Sequence, residues 1–150
     1  MASAGKLKLP AAKDYERLAR WRHLLRRFLV FSETEALRGG LTARQHQALL
    51  AIKGFGRRTA LTTGDLADYL VIRPHSAVGL VDRLVRKGLV RRRTASEDRR
   101  RVLLELTARA ELIIGRLASS HREELAALAP LLQRLLRYFD GAADPSSRRR

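Results

Sequence analysis

The sequence predicts a mainly α-helical protein that carries one small β-hairpin. Three observations lead to this fold class. Apolar residues recur at helical spacing along most of the 150 residues. Two Thr-led capping signals mark the starts of internal helices. One basic stretch, residues 89–106, combines two runs rich in Val and Leu with a turn-forming cluster between them.

The composition limits the class of protein. With 45% hydrophobic residues the chain has enough apolar side chains for a core, so global disorder is not expected. The formal net charge of +16 predicts a polyanionic partner, commonly nucleic acid, with an anionic membrane surface as the alternative. The absence of Cys excludes disulfides, thiol redox sensing and zinc ribbons. We find no signal peptide and no apolar run approaching about 18 residues, so we expect a soluble cytoplasmic protein.

A long first helix is predicted over residues 14–37. Its apolar stripe includes Leu18 and Trp21 at helical spacing, and Gly39-Gly40 ends it. Residues 1–12 are small and basic, and we expect them to form a flexible basic tail.

Two capping boxes predict the next two helices. In the pattern TARQ, residues 42–45, the Thr hydroxyl accepts from the backbone while the Gln side chain reaches back. The helix that it opens runs to about Lys53. The similar pattern TTGD, residues 62–65, opens a short third helix, and residues 59–62 are candidates for a short extended piece.

A fourth helix is predicted over residues 74–87. Pro74 suits its first turn, where a missing N–H is harmless, and Gly88 suits the left-handed residue that ends it. Its apolar face consists of Ala77, Leu80, Val81 and Leu84.

The hairpin joins "LVRRR" to "RVLLEL" through "TASEDR". Thr107 then caps a long helix to about Leu128, Pro130 interrupts that helix, and a last helix covers residues 131–139. Residues 141–150 are turn-rich and then basic, which predicts a second tail.

Two short helices joined by a tight turn and followed by a basic hairpin form a winged helix-turn-helix pattern. The second helix of such a pair enters the major groove of DNA, while the first crosses the backbone. The element that would be inserted here is residues 74–87. The residues predicted to contact DNA are Thr62, Thr63, Arg73, His75, Ser76, Val78, Gly79, Arg83, Arg91, Arg92, Arg93, Arg99, Arg100 and Arg101.

The start of the inserted helix is predicted to read bases. His75 and Ser76 can exchange hydrogen bonds with base edges, and Val78 can touch a thymine methyl group, although phosphate contact or solvent exposure would explain them equally. Gly79 costs about 1 kcal/mol against Ala in a helix. Close approach to DNA would explain it, and so would a helix packing contact. Thr62 and Thr63 are candidates for a phosphate contact with the N–H groups at the start of the third helix.

The hairpin turn, "RRRTASEDRRR", interrupts six arginines with two acids, Glu97 and Asp98. We interpret both acids as structural. Asp98 is two residues from Arg100, so the two side chains are expected to stabilise the wing by pairing on one face. An acid in a turn also accepts backbone N–H groups and fixes the bend. The remaining arginines are then available for phosphates or a narrow minor groove.

The motifs "LTARQHQALLAI", "LTTGDLADYL", "HSAVGLVDRLVRKGLVRR" and "SEDRRRVLLELT" resemble the multiple antibiotic resistance regulator (MarR) family in order and spacing, over about residues 14–139. This resemblance implies an obligate homodimer that binds a palindromic operator, usually as a repressor. It also implies release by a small aromatic or phenolic ligand. Asp98 and Arg100 match the family's wing Asp-x-Arg pair.

The resemblance also implies a domain organisation. Residues 13–140 are expected to form a single domain. Its DNA-binding part covers about residues 42–106, and its dimerisation helices cover about 14–37 and 107–139. Candidates for the effector pocket are Trp21, Phe28, Phe31 and His46, although aromatic residues at helical spacing are more often core.

Other classes of function are not expected. His121 and Glu124 lie one helical turn apart, but two ligands do not make a metal site, and we expect neither a metal nor a cofactor. No Walker loop, GxGxxG pattern or plausible catalytic triad is present, so we do not expect an enzyme. The alternative is a basic architectural protein that binds nucleic acid without sequence preference. Membrane-surface binding is disfavoured because the helices commit their apolar faces to a core.

Overall fold

A computed structural model describes residues 10–56 and 60–143, with side-chain environments up to Tyr138. The predicted fold class is confirmed, because this part of the chain contains five helices and one antiparallel hairpin. Most of the two predicted tails, residues 1–9 and 144–150, lies outside the described residues. The elements are α1 (Ala12–Arg38), α2 (Ala43–Phe55), α3 (Thr63–Leu70), α4 (Pro74–Arg86), β1 (Val90–Thr94), β2 (Val102–Leu106) and α5 (Ala108–Ala143).

The chain divides into two compact units. The central unit is residues 31–122, and the terminal unit combines residues 1–30 with 123–150. Helices α1 and α5 each contribute residues to both units. The sequence-derived boundary between a DNA-binding part and dimerisation helices stays a prediction.

The core of the central unit is formed by α2, α3, α4 and the hairpin, together with the parts of α1 and α5 that carry Ala36, Ile114 and Leu117. Fully buried side chains come from each of the first four of these elements, namely Leu49 of α2, Leu66 of α3, Val81 and Leu84 of α4, and Leu104 of β2. The whole apolar face predicted for α4 is buried, so the opposite face of this helix is turned outwards.

Both predicted capping boxes are present. The Thr42 side chain accepts from the backbone of Gln45, and Thr62 does the same with Asp65. Gly88 follows α4 with a φ of 66°, as predicted for a left-handed terminator. The predicted tight turn from α3 to α4 is present. The sequence did not predict the conformation of Val71, which is left-handed at φ 51°, because β-branched residues rarely adopt it.

The hairpin pairs β1 with β2 from Val90↔Leu106 to Thr94↔Val102. Its base is buried through Val90 and Leu104. The Leu104 N–H donates to the Leu61 carbonyl at 2.8 Å, and Thr62 forms an isolated bridge with Leu103. The predicted extended piece at 59–62 therefore exists at Leu61 and Thr62, whereas Thr59 lies outside the described residues.

The prediction that Pro130 interrupts the last helix is wrong, since α5 is continuous through Pro130. Proline removes the hydrogen bond that its N–H would donate to the carbonyl of Ala126. Both residues are exposed, so water can solvate that carbonyl and the helix continues at a modest cost.

In the terminal unit, Tyr138 links the two helical segments. Its hydroxyl donates to the Asp14 carboxylate, and the Arg17 guanidinium lies 3.3 Å from the centroid of its ring. This hydrogen bond holds the pKa of Asp14 below its usual value. The same unit has a groove of about 620 Å³ whose apolar lining includes Leu24 and Leu135. None of the helices in the described part of the chain has the length and hydropathy needed to cross a bilayer.

Candidate nucleic-acid interface

The outward face of α4 carries the residues predicted to meet DNA. Arg73, His75 and Arg83 are exposed, and Val78 is 48% exposed although it is apolar. Ser76 and Gly79 are half-buried between them. These residues form one continuous strip because they follow the helical repeat opposite the buried face.

The first turn of α4 leaves its polar side chains available. Arg73 is the N-cap and gives no side-chain cap, while its carbonyl accepts from the N–H groups of Ser76 and Ala77 at 2.9 and 3.2 Å. Within the described residues, the structure gives the side chains of His75 and Ser76 no internal hydrogen bond. Because these donors and acceptors have no hydrogen-bond partner in this part of the chain, they are available to bond to another molecule.

Gly79 is not required by packing within the central unit. A Cβ atom built on it would approach only the Arg83 guanidinium, at 3.4 Å, which is the flexible end of a side chain. Of the two explanations considered for this glycine, packing therefore loses its support. The other explanation, close approach of this face to DNA, stays a prediction.

The three arginines of β1, whose predicted DNA contacts stay a prediction, each lie beside a carboxylate of the same chain. Arg91 Nε lies 3.2 Å from the Glu105 carboxylate across the hairpin, and Arg93 pairs with the same carboxylate. Arg92 lies on the other face and pairs with Asp82 of α4 at 2.6 Å. The hydrogen bond from Arg93 holds the pKa of Glu105 below its usual value. Each β1 arginine thus has a carboxylate partner within the chain.

The arginines at the hairpin tip differ from those of β1. In the described part of the chain, no carboxylate lies within ion-pair distance of the guanidinium groups of Arg99, Arg100 and Arg101. All three are exposed. The arginines of the wing without an ion-pair partner in this part of the chain therefore lie at its tip, where a polyanion can approach them. Arg101 is nevertheless close enough to Asp65 for its charge to help lower the pKa of that carboxyl.

Asp98 shapes this tip through the backbone. Its carboxylate accepts from the Arg100 N–H at 2.9 Å, and its carbonyl accepts from the Arg101 N–H at 3.0 Å. The expected ion pair between the side chains of Asp98 and Arg100 is absent, because a carboxylate folded back onto the turn does not point at the guanidinium two residues later. Asp98 thus takes the second of its two predicted roles.

Thr62 is already engaged. Its hydroxyl accepts from the Asp65 N–H at 3.2 Å and donates to the Asp65 carboxylate at 2.7 Å. The hydrogen bond from the Thr62 N–H holds the pKa of Asp65 below its usual value. A phosphate contact by the Thr62 hydroxyl would compete with this cap. Thr63, which is half-buried, keeps its predicted role as a proposal.

The four aromatic residues proposed for an effector pocket fall in different units. Trp21 and Phe28 belong to the terminal unit, and Phe31 and His46 to the central unit. The rings of Phe31 and His46 lie 5.3 and 4.8 Å from the ring of His121. His121 bonds to the Leu117 carbonyl at 2.7 Å and to the Ser32 hydroxyl at 2.8 Å. The cluster that the structure shows is therefore centred on His121, which sequence reasoning considered only as a metal ligand.

No group of three or more His, Asp or Glu side chains in the described residues is placed to hold a metal ion. Sequence reasoning also missed the acidic partners of the β1 arginines. Glu105 could have been found from the hairpin register, since it lies opposite Arg91. Asp82 could not, because its distance from Arg92 depends on how the hairpin packs on α4.

Comparisons with known proteins agree with this geometry. Residues 39–101, which run from the end of α1 to the wing tip, match the sequence model of the MarR family. The family resemblance is confirmed. No curated protein sequence matches the chain.

Several solved structures share the MarR fold. A MarR family protein from Bacillus stearothermophilus has a TM-score of 0.72 and 20% identity, over 90% of this chain and 98% of that one. A MarR family transcription regulator has a TM-score of 0.65 and 26% identity, over 87% and 93%. Staphylococcus aureus MepR, solved in complex with DNA, has a TM-score of 0.64 and 17% identity, over 83% and 94%.

Proposed function

We propose that this chain is a sequence-specific DNA-binding transcription regulator of the MarR type. The proposal is carried by the outward face of α4, whose first turn presents polar side chains that make no hydrogen bond within the described residues. The exposed arginines of the wing tip, which have no ion-pair partner there, add a positive charge that DNA would meet. An α-helix fits the major groove, and base edges there carry a distinct pattern of donors and acceptors. The resemblance to MepR, which has been solved with DNA, supports the same use of this fold.

Affinity and specificity are assigned to different residues. Arg99, Arg100 and Arg101 contact phosphates or the minor groove, so they supply an affinity that depends on salt through counterion release. His75, Ser76 and Val78 contact base edges, so they supply discrimination. The β1 arginines, each held by a carboxylate, contribute less than the tip arginines.

The active form is a homodimer. The terminal unit exposes a large number of apolar side chains for its size, which marks an interaction surface. A second copy would cover these residues and would aim two α4 helices at successive major grooves of a palindromic operator. The exposed residues are Tyr15, Leu18, Leu25, Leu29, Val30, Leu125, Leu131 and Leu136.

Regulation follows from this arrangement. Occupancy of the operator represses neighbouring genes. A small aromatic or phenolic ligand lowers that occupancy if it binds more tightly to a dimer whose α4 helices have a spacing that does not fit DNA. The difference between its affinities for the two dimer geometries sets the size of the effect. Nothing in this scheme requires a cofactor or a catalytic step.

The test is DNase footprinting of the purified protein on the intergenic DNA beside its own gene. We expect one protected site with twofold symmetry and half-site centres about one helical turn apart. Equal affinity for every duplex, with only a steep salt dependence, would contradict sequence specificity. That result would instead support an architectural protein that coats nucleic acid.

A further inference from the structure

The ion pair between Asp82 and Arg92 joins the two parts of the proposed DNA-binding surface. Asp82 lies on α4, and Arg92 lies at the centre of β1. Their side chains meet at 2.6 Å. On its own helix, Asp82 is followed directly by Arg83 of the outward face, so the pair lies next to the strip that is proposed to enter the groove.

The backbone between the two elements is short. Only Lys87, Gly88 and Leu89 separate α4 from β1, and Gly88 has a φ of 66°. Leu89 and Val90 are buried, which anchors the base of the wing. Beyond Val90, every residue of β1 is exposed. The root of the wing is therefore set by packing, in β2 as far as Leu104, whose N–H also donates to the Leu61 carbonyl at 2.8 Å. The exposed arm of β1, by contrast, meets α4 through a side-chain contact, the ion pair of Arg92 with Asp82.

Arg92 acts just beyond that root. It pairs across the hairpin with Leu104, which is buried, so both side chains leave the face of the sheet that is directed at the core. From this face Arg92 reaches Asp82, whereas Arg91 and Arg93 lie on the opposite face with Glu105. One face of the hairpin is thus linked to α4 by the ion pair of Arg92 with Asp82. On the other face, Arg91 and Arg93 form ion pairs with Glu105 within the hairpin.

We propose that Asp82 is a positioning residue for DNA binding, which fixes the angle between wing and inserted helix through Arg92. The inference rests on the proposed function, because it assumes that α4 and the wing tip contact one duplex together. Asp82 itself touches no DNA in this scheme. Its negative charge repels the DNA phosphates. Asp82 therefore favours binding only if its effect on the angle of the wing is larger than this repulsion.

Coulombic and geometric effects therefore have opposite signs at this residue. If only charge matters, Asp82→Asn and Asp82→Arg bind DNA more tightly than the natural protein, because each makes the surface more positive. If the ion pair of Asp82 with Arg92 positions the wing, both variants bind DNA more weakly than the natural protein. The side chains of Asp82 and Arg92 are 48% and 37% exposed, so the pair is a partly solvated one. We expect a loss of about fivefold or less in affinity for each protomer that lacks it.

The experiment uses fluorescence anisotropy of the full-length protein with a labelled duplex that carries the footprinted operator, and with a scrambled duplex of equal length. The variants are Asp82→Asn, Asp82→Arg, Arg92→Asp and the charge-swapped double variant Asp82→Arg/Arg92→Asp, which has the natural net charge. We expect all three single variants to lose affinity, more for the operator than for the scrambled duplex. The double variant should recover most of it.

Glu97→Gln is the matched control, since it removes an exposed carboxylate from the wing tip that has no ion-pair partner in the described residues. It should bind as tightly as the natural protein or more tightly. Equal or tighter binding by Asp82→Asn and Asp82→Arg would overturn the inference, and so would a double variant no better than Arg92→Asp. Failure of the natural protein to bind either duplex would instead overturn the proposed function.

Discussion

Thr62 and Asp65 hold each other at the start of α3. The Asp65 carboxylate accepts from the Thr62 N–H at 2.8 Å and from the Thr62 hydroxyl at 2.7 Å, and the Asp65 N–H donates to that hydroxyl at 3.2 Å. The pair therefore satisfies donors at both ends of the first turn of the shortest helix. It also places a carboxylate, whose pKa it lowers further below its ordinary value, at the start of a helix that is proposed to lie against DNA.

The first prediction concerns acid stability. Thr62 lowers the pKa of Asp65 from its ordinary value of 3.8, so this group stabilises the fold above that pH and loses its effect as the pH falls through the folded pKa. Asp65→Asn should be less stable in urea at pH 7 by about 1 kcal/mol, the usual scale of a lost cap. The difference from the natural protein should shrink below about pH 4. A difference that stays constant down to about pH 2 would contradict this assignment.

The second prediction concerns the left-handed turn at Val71. This residue has a φ of 51°, a backbone conformation that is strained for a β-branched residue. Its side chain is 90% exposed, so burial of apolar surface does not offset the strain. Val71→Asn should raise the free energy of unfolding by about 1 kcal/mol, because Asn tolerates this conformation far better. Thermal unfolding followed by circular dichroism measures the change. Val71→Ile, which keeps the β-branch, should show no gain, and equal stability of the Asn and Ile variants would refute the argument.

The third prediction separates stability from DNA binding at Gly79. Gly79→Ala should stabilise the fold by about 1 kcal/mol, since Ala is the better helix former and the only close neighbour is the end of Arg83. The added methyl group should nevertheless weaken operator binding, because it lies on the face that is proposed to approach DNA.

Gly115→Ala is the control for Gly79→Ala. Gly115 lies in α5, and a Cβ atom there would have no neighbour within 4 Å. This variant should gain similar stability without a change in operator affinity. If both variants bind the operator equally well, Gly79 does not approach DNA closely.

The fourth prediction concerns the division between affinity and specificity. Arg100→Ala should weaken binding to all duplexes and reduce the slope of log affinity against log salt by about one for each phosphate that is no longer neutralised. Ser76→Ala should instead relax discrimination at one operator position. Anisotropy titrations over a set of single-base operator variants at two salt concentrations measure both effects. Identical behaviour of the two variants would show that the assignment is wrong.

The fifth prediction concerns buried His46. Burial, and secondarily the charge of nearby His121, lower the pKa of His46 from its ordinary value of 6.5. The unfolded chain therefore binds a proton at this residue more readily than the folded chain, so stability falls as the pH drops below 6.5 and levels off below the folded pKa. His46 Nδ1 is also buried without a hydrogen-bond partner in the described residues.

His46→Phe should remove this dependence while it keeps a ring against His121. Urea unfolding at about pH 7.5 and about pH 5 should show a smaller loss of stability in the variant than in the natural protein. An equal loss in both proteins would place the acid sensitivity at another group.

Local signals predicted most of the fold. Capping boxes, the proline at the start of α4 and the glycine after it act over a few residues, so the sequence determines them with little help from packing. Pro130 was misinterpreted because its effect depends on whether the carbonyl one turn earlier is exposed to water, which is a property of the folded protein.

The interface was predicted less completely than the fold. Sequence reasoning treated all wing arginines alike, because a run of charge does not show which members are paired. The structure separates Arg92, which Asp82 holds, from Arg100, which has no carboxylate partner among the described residues. That separation arises from contacts between elements that are distant along the chain.

The two-stranded hairpin has a consequence for solubility. A sheet of two strands leaves two edges, each with unpaired backbone groups that can recruit a strand from another molecule. The β2 edge is partly covered by the Leu61–Thr62 segment. Within residues 10–56 and 60–143 no strand pairs with the outer edge of β1, which carries three consecutive arginines that oppose pairing with the same edge of a second molecule. We therefore expect the arginines that pair with Asp82 and Glu105 also to oppose fibrous association between molecules.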